Sequence, residues 1–139
     1  MDQGGKKPVC NIMIKEIAVV GHPGKYGGAC TELDHQIYCW NKMGIKIILC
    51  PTDDVDEKTK LYYKERGCEY IMKNGWKELN SFHVISFCSD IFLKNLKEIK
   101  KYARTTIFVN CMTWVFKDEK IALSENLIDF NLYQTRHAM

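Results

Sequence analysis

Six short apolar runs, at residues 16–21, 45–50, 69–72, 83–88, 105–111 and 129–134, punctuate the chain at intervals filled by amphipathic stretches. The runs are rich in β-branched and aromatic residues. Several, such as Ile17-Ala18-Val19-Val20, are apolar throughout instead of alternating with polar residues. Strands with that pattern are covered on both faces, as in a parallel sheet flanked by helices. Between them, residues 28–43 place Ala29, Leu33, Ile37 and Trp40 on one helical stripe before Gly44. Residues 57–66 follow a cap at Asp54 or Asp56 and stop at Gly67. Residues 91–103 follow a cap at Ser89 or Asp90, with Phe92, Leu96, Ile99 and Ala103 as the buried stripe. One helical turn around Trp76 and a short helix over 118–124 complete the reading. Strand and helix in rotation predict an α/β fold: a Rossmann-like, doubly wound, mostly parallel sheet of about six strands with helices on both faces. Its 139 residues fit one domain, with a tail at 1–14 and the domain over 15–139.

Composition narrows the class. Hydrophobic residues are 46% and charged residues 27%, an ordinary globular balance. No run approaches the roughly 20 apolar residues of a membrane span, and residues 9–15 are too short and polar for a secretory signal, so a cytoplasmic location is expected. Seven cysteines with no C-x-x-C spacing, and four histidines in no paired pattern, predict reduced thiols and no structural zinc. A net charge of +3 is too small for a nucleic-acid surface. The acidic group Asp53, Asp54, Asp56 and Glu57 precedes a helix, where carboxylates serve as cap and dipole complement, and no metal is expected there.

The segment with most chemical content is Gly21-His22-Pro23-Gly24-Lys25-Tyr26-Gly27-Gly28-Ala29, a glycine-rich loop leading from a buried strand into a helix. In open α/β sheets ligands bind outside the carboxyl ends of the strands, where this loop lies. Glycines allow close backbone approach, and a helix start offers free N–H groups and a positive dipole end, which suits phosphate. The spacing is not that of a P-loop, since Gly21-x-x-Gly24-Lys25 is too short and lacks the Ser or Thr, and no G-x-G-x-x-G follows the first strand. The same glycines are equally compatible with nothing more than a tight strand-to-helix turn.

The run 24–35, ending in Met43-Gly44-Ile45-Lys46-Ile47, resembles the opening of retaining glycosyltransferases of the GT-B class, where a Gly-Gly-Ala turn precedes the first helix. Phe108-Val109-Asn110-Cys111-Met112-Thr113-Trp114-Val115-Phe116 resembles a bacterial family-one or family-four type group of these enzymes, as do residues 84–88 and Tyr133-Gln134-Thr135-Arg136. The resemblance implies the N-terminal, acceptor-side half of an enzyme that transfers a sugar from a nucleotide-sugar donor to a sugar or lipid-linked acceptor. Gly27 and Gly28 would touch the donor phosphates. His22, Tyr26, Asn110, Thr113 and Trp114 would border the cleft, with Trp114 stacking on a sugar and Asn110 hydrogen-bonding one. No catalytic residue carries over, because Asn110-Cys111 stands where many members have a histidine. His35 is read as orienting the loop or facing solvent. No cofactor is implied beyond the donor substrate. The donor-binding C-terminal domain is absent from the sequence, so the chain alone is expected to be inactive.

Lys94, Lys97, Lys101 and Arg104, spaced by three and four, form a basic ridge that is either a solvated helix face or a weak contact with anionic lipid at the inner face of a membrane. Two other functions fit the residues: a non-catalytic Rossmann-type module that binds a nucleotide or phosphorylated metabolite, and an interaction domain whose glycines are structural.

Overall fold

In the computed structural model, six strands pair in parallel into one sheet: β1 (Glu16–Val20), β2 (Lys46–Cys50), β3 (Cys68–Tyr70), β4 (His83–Phe87), β5 (Thr105–Asn110) and β6 (Phe130–Tyr133). The structure describes residues 14–21, 28–51 (backbone alone at 28–30), 54–71, 76–80, 82–112 and 114–133. Across the sheet the order is β3-β2-β1-β4-β5-β6. The chain winds outward from β1 to β3, crosses back to β4 and winds outward again, so the direction reverses between β1 and β4. The register is continuous through the centre: Ile17 faces Ile47 on one side and His83 on the other. At the far side Val109 faces Phe87 and Leu132.

Alternate residues of each strand feed opposite cores, which is why the strands read as unbroken apolar runs. Ile17, Val19, Ile47, Leu49, Ile85, Phe87 and Val109 pack with Leu33, Ile37 and Trp40 of α1 (Gly28–Lys42) and with Tyr63 of α2 (Glu57–Lys64). Ala18, Val20, Ile48, Val84 and Phe108 pack instead with the 3-10 turn Trp76–Leu79, α3 (Asp90–Lys94), α4 (Leu96–Tyr102) and α5 (Lys117–Ser124). Burying a Leu, Ile or Phe side chain of this kind contributes about 1.5–3 kcal/mol. The two layers together fix the central strands from both faces.

Helix ends follow the expected chemistry. Asp56 caps α2 through the Thr59 N–H at 2.7 Å, and Ser89 caps α3 through the Phe92 N–H at 3.3 Å. Gly44, at φ 74°, turns the chain out of α1. The helix expected over 91–103 is divided. Asn95, at φ −105° and ψ 11°, bends the backbone between α3 and α4, and its side-chain amide donates to the Ile91 carbonyl at 2.8 Å. The Ile91 carbonyl thus accepts both the Asn95 backbone N–H, at 3.1 Å, and its side-chain amide, a local side-chain bond that accompanies the bend.

The division also changes the basic ridge. Lys94 pairs with Asp90 (2.8 Å), Lys97 with Glu125 (3.8 Å) and Lys101 with Glu98 (3.2 Å), while Arg104 lies beyond the end of α4. Three of the four cations therefore face a carboxylate. Among the described residues, no helix is long and apolar enough to cross a membrane.

Candidate functional site

The reversal between β1 and β4 opens the sheet at its carboxyl edge, the place where doubly wound folds bind ligands. Gly21 follows β1 there. Its N–H donates to the Cys50 carbonyl at 3.0 Å, extending the ladder by one bond, and its φ of +101° then turns the chain away. A Cβ at this position would lie 2.3 Å from Ser89 Oγ and 2.5 Å from Ser89 Cβ. Only glycine fits, because both the backbone angle and the space exclude a side chain. Ser86 Oγ, fully buried at the end of β4, faces the same spot and has no hydrogen-bond partner among the described residues. Gly21, directly after β1, is thus packed closely against Ser89, the cap of α3.

Beside this contact, the segment after β5 is organised by two buried polar residues. Asn110 is wholly inaccessible. Its Nδ2 donates to the Trp114 carbonyl and to Glu119 Oε1, both at 2.9 Å, and its Oδ1 accepts the Met112 N–H at 2.8 Å. Glu119, also inaccessible, accepts further bonds from the Phe116 N–H (3.0 Å) and from Asn131 Nδ2 (2.9 Å). Asn131 in turn donates to the Tyr133 hydroxyl at 2.8 Å. Burial first, and then the Glu119 carboxylate, hold the Tyr133 phenol above its ordinary value. One carboxylate therefore ties β5, the start of α5 and β6 into a single network. Buried polar groups so connected hold a unique geometry.

That network carries an exposed aromatic. Trp114 is 56% exposed and meets Phe116 edge-on, with ring centroids 6.2 Å apart, while Phe116 meets Phe108 of the core in the same way at 6.2 Å. The indole is thus presented to solvent on a braced support and is not packed beneath a loop. Asn110, by contrast, has both amide hydrogens engaged within the protein, so its part at the edge is to shape the loop that carries Trp114.

Of the other residues singled out in the sequence, Gly28 opens α1. Gly27, His22, Tyr26 and Thr113 lie outside the described residues. His35 is exposed on α1. His83 belongs to the opposite, amino-terminal edge, where its Nδ1 lies 2.8 Å from Thr105 Oγ1, and burial followed by the Arg104 charge holds its imidazole below the usual range. No group of three or more His, Cys, Asp or Glu side chains able to hold a metal occurs among the described residues. Sequence reasoning passed over Glu119, which sits in Lys117-Asp118-Glu119-Lys120 and reads as part of a solvated helix face. The signal available was its place three residues after Phe116, where a glutamate can return to the backbone N–H at a helix start. Comparison of the chain with protein-family models, with curated proteins and with solved structures found no match.

Proposed function

We propose that this domain is the acceptor-side, N-terminal half of a glycosyltransferase that uses a nucleotide-sugar donor. The observation that carries the reading is the exposed indole of Trp114 on the carboxyl edge of the sheet, its ring against Phe116 and its backbone carbonyl held by Asn110, which Glu119 anchors in turn. Aromatic faces suit the apolar faces of sugar rings, and an aromatic held rigidly in solvent loses little freedom on binding. The start of α1 at Gly28, after the strand that ends at the β1–β4 reversal, supplies the second element of the reading. Backbone N–H groups and the helix dipole would stabilise negative charge as the donor diphosphate departs.

Calorimetric titration with a panel of nucleotide sugars and with free diphosphate tests the reading. A nucleotide sugar is expected to bind, and Trp114→Ala to weaken that binding by about tenfold, equivalent to about 1.4 kcal/mol. Absence of binding to both ligand classes would defeat it. The strand order β3-β2-β1-β4-β5-β6 is also that of dinucleotide-binding sheets, which favours a non-catalytic nucleotide module as the second reading. Binding of nucleotides with no preference for the attached sugar, unaffected by Trp114→Ala, would select it.

A further inference from the structure

Two cysteines that the glycosyltransferase reading leaves without a role meet at the carboxyl edge of the sheet. Cys88 follows β4 directly and adopts φ 56°, a left-handed conformation that few residues other than glycine take. Its N–H donates to the Val109 carbonyl at 3.0 Å, which fixes the bend. The bend brings Sγ to the segment after β5, where it accepts the Cys111 N–H at 2.7 Å and also meets the Met112 N–H and the Cys111 thiol. Both cysteines are partly exposed, whereas Cys50 and Cys68 are buried in the core and burial pushes their thiols up to about 12.

The surroundings divide the two sulfurs into unlike roles. The Cys111 thiol foremost, and then two backbone N–H groups, draw Cys88 down to about 7 against burial and the Glu119 carboxylate of α5. Cys111 moves the other way, raised by its bond to Cys88, by burial, by the charge on Cys88 and by Glu32 of α1. The Cys111 N–H, 2.7 Å from the Cys88 sulfur, favours negative charge there, which makes Cys88 the more readily ionised of the two. A thiolate beside a protonated thiol is the arrangement of an attacking sulfur with a resolving one. The carboxylates of Glu32 and Glu119 disfavour an anionic oxidant and leave a small neutral peroxide as the suitable partner.

We propose that Cys88 and Cys111 form a peroxide-oxidisable site that closes to a disulfide between the ends of β4 and β5. The Cys88 sulfur attacks one peroxide oxygen; the S–O bond forms as the O–O bond breaks, and the leaving oxygen takes a proton from solvent. Cys88 becomes a sulfenic acid, oxidised by two electrons, and the peroxide is reduced to water or an alcohol. The Cys111 sulfur then attacks the Cys88 sulfur. The S–S bond forms as the S–O bond breaks, and hydroxide departs with the Cys111 proton as water. An external dithiol returns two electrons and reverses the cross-link. The disulfide would pin the base of the loop that carries Trp114, and the inference stands whether or not that loop meets a sugar.

The test uses the full chain, reduced, freed of reductant and treated with hydrogen peroxide at pH 7, then alkylated and mapped by mass spectrometry. Cys88 joined to Cys111 within one chain is the expected product, and Cys88 is consumed at least about tenfold faster than exposed Cys39, because a sulfur drawn toward its thiolate form is the reactive one. In Cys111→Ser, dimedone is expected to label Cys88; in Cys88→Ser it is expected to leave Cys111 unlabelled. Earlier loss of Cys39, or disulfides that join other cysteines or separate chains, would overturn the proposal. The mapping on the unaltered protein decides the matter without any variant.

Discussion

Asn110 illustrates how one side chain can organise a site without facing it. Its removal in Asn110→Ala leaves the Glu119 carboxylate short of a donor and strands the Trp114 carbonyl and the Met112 N–H. Unsatisfied buried groups cost about 1–3 kcal/mol each, more when charged, and relaxation recovers part of that. A loss of about 2–4 kcal/mol is expected in urea denaturation. Asn110→Asp is the sharper probe. It keeps the shape but sets a second carboxylate about where Nδ2 now lies, 2.9 Å from Glu119 Oε1. Like charges so placed raise the pKa of the pair in the folded state, so the penalty is fully present above that raised value and shrinks as pH falls through it. Asn110→Asp is therefore expected to be more destabilising at pH 7 than at pH 5, and an equal penalty at the two values would show that the carboxylates do not face each other. The sequence offered Asn110 as a candidate because of its neighbours, but its inward direction was not legible. Chain neighbours reveal which residues are near the edge of a sheet; only the packing of α5, which brings Glu119 back nine positions later, decides which way an amide turns.

At the scale of elements, the sequence was far more informative. Residues 17–20 and 47–50 are apolar at every position because both faces are covered, and that pattern alone implies parallel strands. The division between α3 and α4 was hidden for the opposite reason. Phe92, Leu96 and Ile99 keep a helical spacing across Asn95, so periodicity passes straight through a bend confined to the backbone angles of one residue. The contact of Gly21 with Ser89 was likewise invisible, since it joins elements distant in sequence. It yields a specific expectation. Gly21→Ala must bear an unfavourable φ of +101° and a Cβ 2.3 Å from Ser89 Oγ, together about 3 kcal/mol or roughly 10 °C in melting temperature. Ser89→Gly removes the obstructing atoms at the cost of the α3 cap, about 1 kcal/mol or less. Combining them should restore part of the loss, with a coupling of about 1 kcal/mol or more by double-mutant cycle in thermal unfolding. Simple additivity would mean that the backbone angle, and not the close approach, sets the requirement for glycine.

The whole molecule is built unevenly about its central strands, and its stability should be uneven in the same way. β1 and β4 are flanked by strands on both sides and covered on both faces, whereas β6 has one strand neighbour and exposes Phe130 and Leu132. Two carboxylates compensate at that edge: Glu119 holds Asn131, and Asp129 accepts Lys100 Nζ (2.6 Å) and the Thr106 N–H (2.8 Å), joining α4 and β5 to the approach of β6. Burial alone would raise the Asp129 carboxyl, but Lys100 and Thr106 outweigh it and hold the group below its ordinary range. A depressed folded-state value means that the contribution is fully present above the unfolded value of about 3.9 and is lost as pH falls through the folded one. After allowance for solvent screening, about 1–2 kcal/mol is at stake. Asp129→Ala at pH 7 is thus expected to accelerate amide exchange in Phe130–Tyr133 by roughly tenfold while leaving the slow amides of β1 unchanged, and the difference between variant and parent should vanish as the pH falls well below 4. Acceleration spread equally over β1 and β6 would show that the sheet opens only as one cooperative unit, and that Asp129 supports the fold as a whole and not its outer strand.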